Sequence, residues 1–174
     1  MKIIFLDVDG VLNNEDTFKH RREHYEKTGK WLVEIDDIMV RRLADIVNST
    51  GAKIVLSSSW RKMFGKDMTP ANESSQGLVD ILHRYNLTIL DRTGSSDTRQ
   101  DEIDEWLKEH PEVNEFVILD DESFDLQKYI GTRLVKTSAV KDGEMVKSMS
   151  QVTGLQPEHV QQAIKILKEE QINH

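Results

Sequence analysis

Two short acidic pairs hold the residues best suited to chemistry in this 174-residue chain. Asp7-Val8-Asp9-Gly10 follows the apolar run Lys2 to Leu6, and Asp120-Asp121 follows the run Phe116 to Leu119. Alternate side chains of a continuing strand share a face, so Asp7 and Asp9 can address one ligand, while Gly10 lets the chain turn sharply. Four carboxylates gathered at one edge would repel one another, and a hard divalent cation resolves this; the oxygen-only donor set favours magnesium. An Asp that ends a strand is more often a turn or cap residue. Two such pairs, each behind an apolar run, weigh against that reading. Ser57 closes the run Ile54-Val55-Leu56. Its hydroxyl can donate to a phosphate oxygen, although Ser57-Ser58-Ser59 alone would read as a serine-rich turn. Arg99 stands in the first turn of a predicted helix. Surface solubility would explain it, but beside four carboxylates a cation is what a transferring phosphoryl group requires.

These residues need a frame that brings them to one place. Apolar runs predict strands over Lys2 to Leu6, Lys53 to Leu56 and Phe116 to Leu119, with weaker strands over Leu87 to Leu90 and Arg133 to Lys136. Helical spacing predicts helices over Ile35 to Val47, stopped by Gly51, and over Gly77 to Tyr85. A further helix is predicted over Asp97 to Glu109, with Asp97 as N-cap and Gln100 at the capping-box position, and a last one over Gln156 to Glu169. Residues 14–34 read as polar and irregular, and 61–75 as loop. Strand–helix alternation implies one α/β domain with a mostly parallel sheet covered by helices on both faces. In such sheets ligands bind at the carboxyl ends of the strands, where Asp7, Ser57 and Asp120 would converge.

Composition narrows the field. Hydrophobic residues make up 37% and charged residues 31%, the balance of a soluble globular domain. With no cysteine there is no disulfide, thiolate metal site or cysteine nucleophile. No apolar stretch approaches the roughly 20 residues that span a bilayer. The N-terminus does not read as a signal peptide, so a cytoplasmic protein is expected, with no call for an obligate protein partner. A net charge of −8 disfavours general nucleic-acid binding. One basic stretch runs against it: Lys19, Arg21, Arg22, Lys27 and Lys30, opposed only by Glu23 and Glu26. It is either a solvated face or a landing patch for a polyanion.

Phe5-Leu6-Asp7-Val8-Asp9-Gly10-Val11-Leu12-Asn13 resembles the first motif of the haloacid dehalogenase (HAD) superfamily of phosphatases. Ser57 matches that superfamily's strand-terminal Ser/Thr and Asp120-Asp121 its terminal acidic pair. Arg99 stands where the third motif usually has Lys. Leu56-Ser57-Ser58-Ser59-Trp60-Arg61, Arg99 to Leu107, Val117 to Asp121 and Leu134-Val135-Lys136-Thr137 look like the small branch associated with RNA-repair proteins and polynucleotide 3′-phosphatase domains. The resemblance implies a Rossmann-like α/β/α sandwich with the Asp7 strand central. It implies that Asp7 attacks phosphorus to form an aspartyl-phosphate, and that Asp9 protonates the leaving oxygen and then deprotonates water. Ser57 and Arg99 would hold the phosphoryl oxygens. Mg2+ would be held by Asp7, the Asp9 backbone carbonyl, Asp120 and Asp121.

The two usual insertion points leave no room for a full cap domain, only a flap-like 14–34 insertion. An open site admits a large substrate, so a phosphorylated DNA or RNA end or a nucleotide is expected. Ser58, Arg61, Lys19, Arg21 and Arg22 are the candidate substrate-binding residues. Trp60, Lys62 and Lys66 could add stacking and phosphate contacts, although Trp60 is also a natural core residue. A small phosphorylated metabolite, with 14–34 as a lid, and a catalytically idle binding module are the alternatives.

Overall fold

The computed structural model describes residues 1–138 and 153–169. Five strands, β1 (Lys2–Leu6), β2 (Lys53–Leu56), β3 (Ile89–Arg92), β4 (Glu115–Asp120) and β5 (Leu134–Lys136), form one sheet in the order β3-β2-β1-β4-β5. Every pairing is parallel. Parallel strands need crossovers, and helices α1 (Glu15–Thr28), α2 (Asp37–Thr50), α3 (Glu73–His83), α4 (Arg99–Glu109) and α5 (Pro157–Lys168) are distributed among them.

Alternation along the strands sorts the core into two layers. Ile4, Leu6, Ile54, Leu56, Val117 and Leu119 face α2, α3 and α5 through Leu43, Leu78 and Val160. Ile3, Phe5, Val55 and Ile118 face α4 through Ile103 and Trp106. Both faces of β1 are covered, which is why its residues read as an unbroken apolar run rather than an alternating one. The result is a Rossmann-like α/β/α sandwich, and no cap domain stands over it among the described residues. No described helix is long and apolar enough to cross a membrane.

The order of the strands positions the site. The chain builds β2 and β3 on one side of β1, then crosses over to build β4 and β5 on the other. A crevice opens where that direction reverses, outside the carboxyl ends of β1 and β4. The hydrogen-bond ladder runs on past the strands there. Thr93 N donates to Leu56 O, Ser57 N to Leu6 O, Asp7 N to Leu119 O and Thr137 N to Asp120 O, all at 2.9–3.0 Å. Five polar residues therefore stand in a row along one edge.

Several elements differ from expectation. The segment 14–34 is not irregular: α1 occupies most of it, capped by Asn14 at one end and by Gly29 in the left-handed conformation at the other. The segment leaves and rejoins the domain at one point, because Asn13 Nδ2 donates to Glu34 O at 2.8 Å and Asp36 N to Leu12 O at 2.8 Å. α3 begins at Glu73, earlier than its apolar residues indicate, because Asn72 and Ser75 form a capping box ahead of them. β3 lies two residues later than expected. Thr98, not Asp97, caps α4, accepting from Asp101 N. Gln100 instead turns outward and accepts from Lys128 N.

Candidate active site

Asp7 lies one residue past β1 and is 7% exposed. Asp120, the last residue of β4, is 2% exposed. With Asp121 they form a cluster in which one carboxylate oxygen from each residue lies within 4.8 Å of the other two. Gly10 lets Asp121 approach: its φ is +80°, and a Cβ there would collide with the Asp121 carboxyl. Arg99 supplies the opposing charge. Its Nη1 lies 2.9 Å from Asp120 Oδ2 and 3.3 Å from Asp7 Oδ1. Thr98 starts α4 so that Arg99 is its first residue, and Asp125 fixes that residue's backbone by accepting from its N–H at 3.0 Å.

Three acids and one base leave the cluster over-supplied with negative charge. Burial raises the pKa of Asp7, opposed chiefly by Arg99. Burial, then repulsion from Asp7, pushes Asp120 up to about 8. Asp121 is pushed up to about 7 by the same two causes. Burial works against the charge of Arg99, but Asp120 and Asp7 outweigh it and hold its pKa above the ordinary value. Protons held at neutral pH by buried carboxyls mark a place where a cation would be bound in their stead. The donors are hard oxygens, so Asp7, Asp120 and Asp121 fit a magnesium ion.

Asp9 departs from the simple strand picture. β1 ends at Leu6 and the chain turns at Asp9-Gly10, so the Asp9 side chain is exposed and outside the carboxylate cluster. Its oxygens accept from Asn13 Nδ2 at 3.0 Å and from Trp60 Nε1 at 3.1 Å. Asn13 Oδ1 accepts from Gly10 N at 2.8 Å, and Thr137 Oγ1 donates to Gly10 O at 2.7 Å, so the turn is braced from both sides. Asn13 and Trp60 were not foreseen in this role. Trp60 is buried, as a core residue would be, yet its indole N–H reaches the site.

Ser57 is fully buried, and its hydroxyl is one of two described buried side-chain groups without a hydrogen-bond partner, the other being Thr93. An orphaned hydroxyl beside Asp7 in the edge row has its donor free for a ligand oxygen. Ser58, also buried, accepts from Trp60 N through its hydroxyl at 3.2 Å, and it is among the groups that act to lower the pKa of Asp7.

The basic residues divide. Arg61 is buried and both of its terminal nitrogens are engaged: Nη2 pairs with Glu102 at 2.6 Å and Nη1 donates to Ser58 O at 3.1 Å. Glu102 lies one turn beyond Arg99 on α4. The pair thus ties the serine loop after β2 to the helix carrying Arg99, and an uncompensated charge there would cost several kcal/mol. Arg61 is thus buried between the serine loop and α4. Arg21 is likewise engaged, pairing with Glu34 and donating from Nε to Leu32 O at 2.8 Å. Lys19, Arg22, Lys62 and Lys66 are exposed.

The carboxyl pKa values predict how the cation couples to stability. A carboxyl whose pKa is raised by folding stabilises the fold when protonated, and that contribution is lost as pH rises from its unfolded value of 3.8 to about 8 for Asp120. In chelator, the melting temperature of the wild type should fall relative to that of Asp120→Asn as pH rises from about 5 to about 8. Magnesium should raise the wild-type melting temperature, increasingly with pH, and Asp120→Asn much less. Thermal denaturation with and without magnesium checks this. An identical magnesium response in both proteins would remove Asp120 from the metal shell.

The family model for the HAD domain in Swiss Army Knife RNA repair proteins matches residues 3–142. That span runs from the second residue of β1 through β5 and includes every residue of the cluster. No curated protein and no solved structure matches the chain.

Proposed function

The chain belongs to the family of HAD domains in Swiss Army Knife RNA repair proteins, and from that premise we propose that it is a magnesium-dependent phosphomonoester hydrolase acting through Asp7 on phosphorylated nucleic-acid ends or nucleotides. The observation that carries this reading is the convergence of Asp7, Asp120 and Asp121 on one point with Arg99 against two of them.

The chemistry balances in two displacements. A carboxylate oxygen of Asp7 bonds to phosphorus as the ester P–O bond breaks, and the leaving oxygen takes the proton of Asp9. Water then bonds to phosphorus and gives its proton to Asp9; the P–O bond to Asp7 breaks, releasing inorganic phosphate. Asp9 suits both duties, being exposed to solvent and held by Asn13 and Trp60 outside the acidic cluster. Arg99 turns from Asp7 and Asp120 to the phosphoryl oxygens, and the free Ser57 hydroxyl donates to another. Held by Asp7, Asp120 and Asp121, magnesium would supply positive charge that offsets the repulsion between carboxylate and phosphate.

The open edge and the RNA-repair family support a substrate too large for an enclosed pocket. Phosphate release from an oligonucleotide phosphorylated at its end should exceed release from sugar phosphates, and magnesium should be required in both cases. Preference for the sugar phosphate would shift the reading to a small metabolite with 14–34 as a lid. No release from any phosphomonoester, aryl phosphate included, would leave only a binding module.

A further inference from the structure

Of Asp7, Asp9, Asp120 and Asp121, Asp9 alone is exposed, yet both of its carboxylate oxygens are held. Oδ1 accepts from Asn13 Nδ2 at 3.0 Å and Oδ2 from Trp60 Nε1 at 3.1 Å. The terminal torsion of an aspartate is soft, so a carboxylate in solvent takes many directions. A donor on each oxygen selects one. Both donors are themselves fixed, because Asn13 is fully buried and the Trp60 ring packs in the core. A buried indole N–H needs an acceptor, and a backbone carbonyl would satisfy it. Here it is aimed at an exposed carboxylate instead.

The indole has a rigid mount. Trp60 sits on the short 3-10 turn Ser59–Met63, capped by the Ser58 hydroxyl, which accepts from Trp60 N at 3.2 Å. Arg61 Nη1 donates to Ser58 O at 3.1 Å, and its Nη2 pairs with Glu102 of α4 at 2.6 Å. Arg92, the last residue of β3, donates from Nη1 to Arg61 O at 2.7 Å and to Phe64 O at 2.5 Å. The turn is therefore fixed to β3 and to α4, whose first residue is Arg99. A buried ion pair is a weak source of stability. The placement of this one, between the Trp60 turn and α4, points to geometry as its use.

We infer that Trp60 is a positioning residue for Asp9, and that the Arg61–Glu102 pair sets its indole from the same helix that carries Arg99. This deepens the phosphatase reading and rests on it for the reaction that Asp9 serves. As the ester P–O bond breaks, the leaving oxygen takes the Asp9 proton. A carboxyl aimed in one direction delivers that proton, and one swinging in solvent does so rarely. The demand falls on poor leaving groups. An alkoxide, such as the sugar oxygen of a nucleic-acid end, needs the proton, whereas a nitrophenolate leaves without it. Trp60 thereby extends the site from activated aryl esters to alkyl esters.

The test compares kcat/KM over a series from nitrophenyl to alkyl phosphates, with magnesium, for the full chain and its Trp60→Phe variant. Phenylalanine keeps an aromatic ring in the core and removes the N–H. The ratio of kcat/KM for alkyl phosphates to that for nitrophenyl phosphate should fall about 10- to 100-fold, the worth of a hydrogen bond to a charged group. A packing defect alone would lower both classes alike and leave the ratio. Glu102→Gln keeps the indole and loosens its mount, so it should shift the ratio in the same direction by less. That variant carries the test if Trp60→Phe does not fold. Added to Trp60→Phe, Glu102→Gln should lower the ratio no further, because its effect passes through the N–H. An unchanged ratio in every variant that folds, with both classes turned over by the wild type, overturns the inference and leaves the phosphatase reading standing. A further fall in the double variant overturns the part assigned to the Arg61–Glu102 pair. A wild type that hydrolyses neither class defeats the phosphatase reading, and the inference with it.

Discussion

Asp7→Asn should abolish phosphatase turnover, by at least about 10⁴-fold in kcat, and leave the fold intact. The loss is expected to match that of removing a nucleophile elsewhere, where single replacements reach about 10⁶. The amide has the shape of the carboxylate and no anionic oxygen to attack phosphorus. Stability provides the control. Burial raises the Asp7 pKa, so the fold disfavours its charge despite Arg99 at 3.3 Å. A neutral amide relieves that penalty, and without magnesium the melting temperature should hold or rise. A variant that melts like the wild type and hydrolyses an aryl phosphate at a comparable rate would remove Asp7 from the reaction.

Arg99→Ala should be the next most damaging change. The guanidinium spans Asp7 and Asp120 and is the only cation the described structure pairs with the cluster. Losing a preorganised donor to the transferring group costs about 2.7–4 kcal/mol, or about 10²–10³ in kcat. Arg99→Lys should recover part of this, since charge returns without the planar fork. The alanine substitution also leaves the acids less compensated, so magnesium should bind more tightly even as turnover falls. Steady-state kinetics with a magnesium titration separates the two effects. A drop in kcat matched by weaker magnesium binding would make Arg99 a prop for the metal rather than a ligand of phosphate.

What was legible in the sequence follows from what local pattern can encode. β1, β2 and β4 are buried on both faces, so they read as apolar runs, and the polar residue ending each run was bound to stand at one sheet edge. Asp7, Ser57 and Asp120 were found that way. The start of α4 placed Arg99 within a residue of its cap, and so at the site.

Relations between distant residues were not legible. Trp60 donates to Asp9 across 51 positions and Arg61 pairs with Glu102 across 41, and neither spacing leaves a periodic trace. Arg61 and Arg21 looked like free cations because nothing local revealed Glu102 or Glu34 as partners. α1 was missed for a different reason. It has no buried face, so the hydrophobic period that identifies helices is absent. Its signals were the ends, Asn14 with Thr17 as a capping box and Gly29 as a left-handed stop. Asp9 was expected to share the face of Asp7, but the strand stops at Leu6 and the turn at Gly10 carries Asp9 out to Asn13 and Trp60.

The most direct test concerns the covalent intermediate. An aryl leaving group needs no proton from Asp9, whereas release of the phosphoryl group from Asp7 needs Asp9 as a base. Asp9→Asn mixed with an aryl phosphate and magnesium should therefore give one burst of phenol and then stall. Acid quenching followed by borohydride reduction and peptide mass mapping should find homoserine in place of residue 7 alone, the product expected of an acyl phosphate. Steady phenol release without a burst, or an unmodified Asp7 after the burst, would mean that water attacks phosphorus directly, and the account of Asp7 would be wrong.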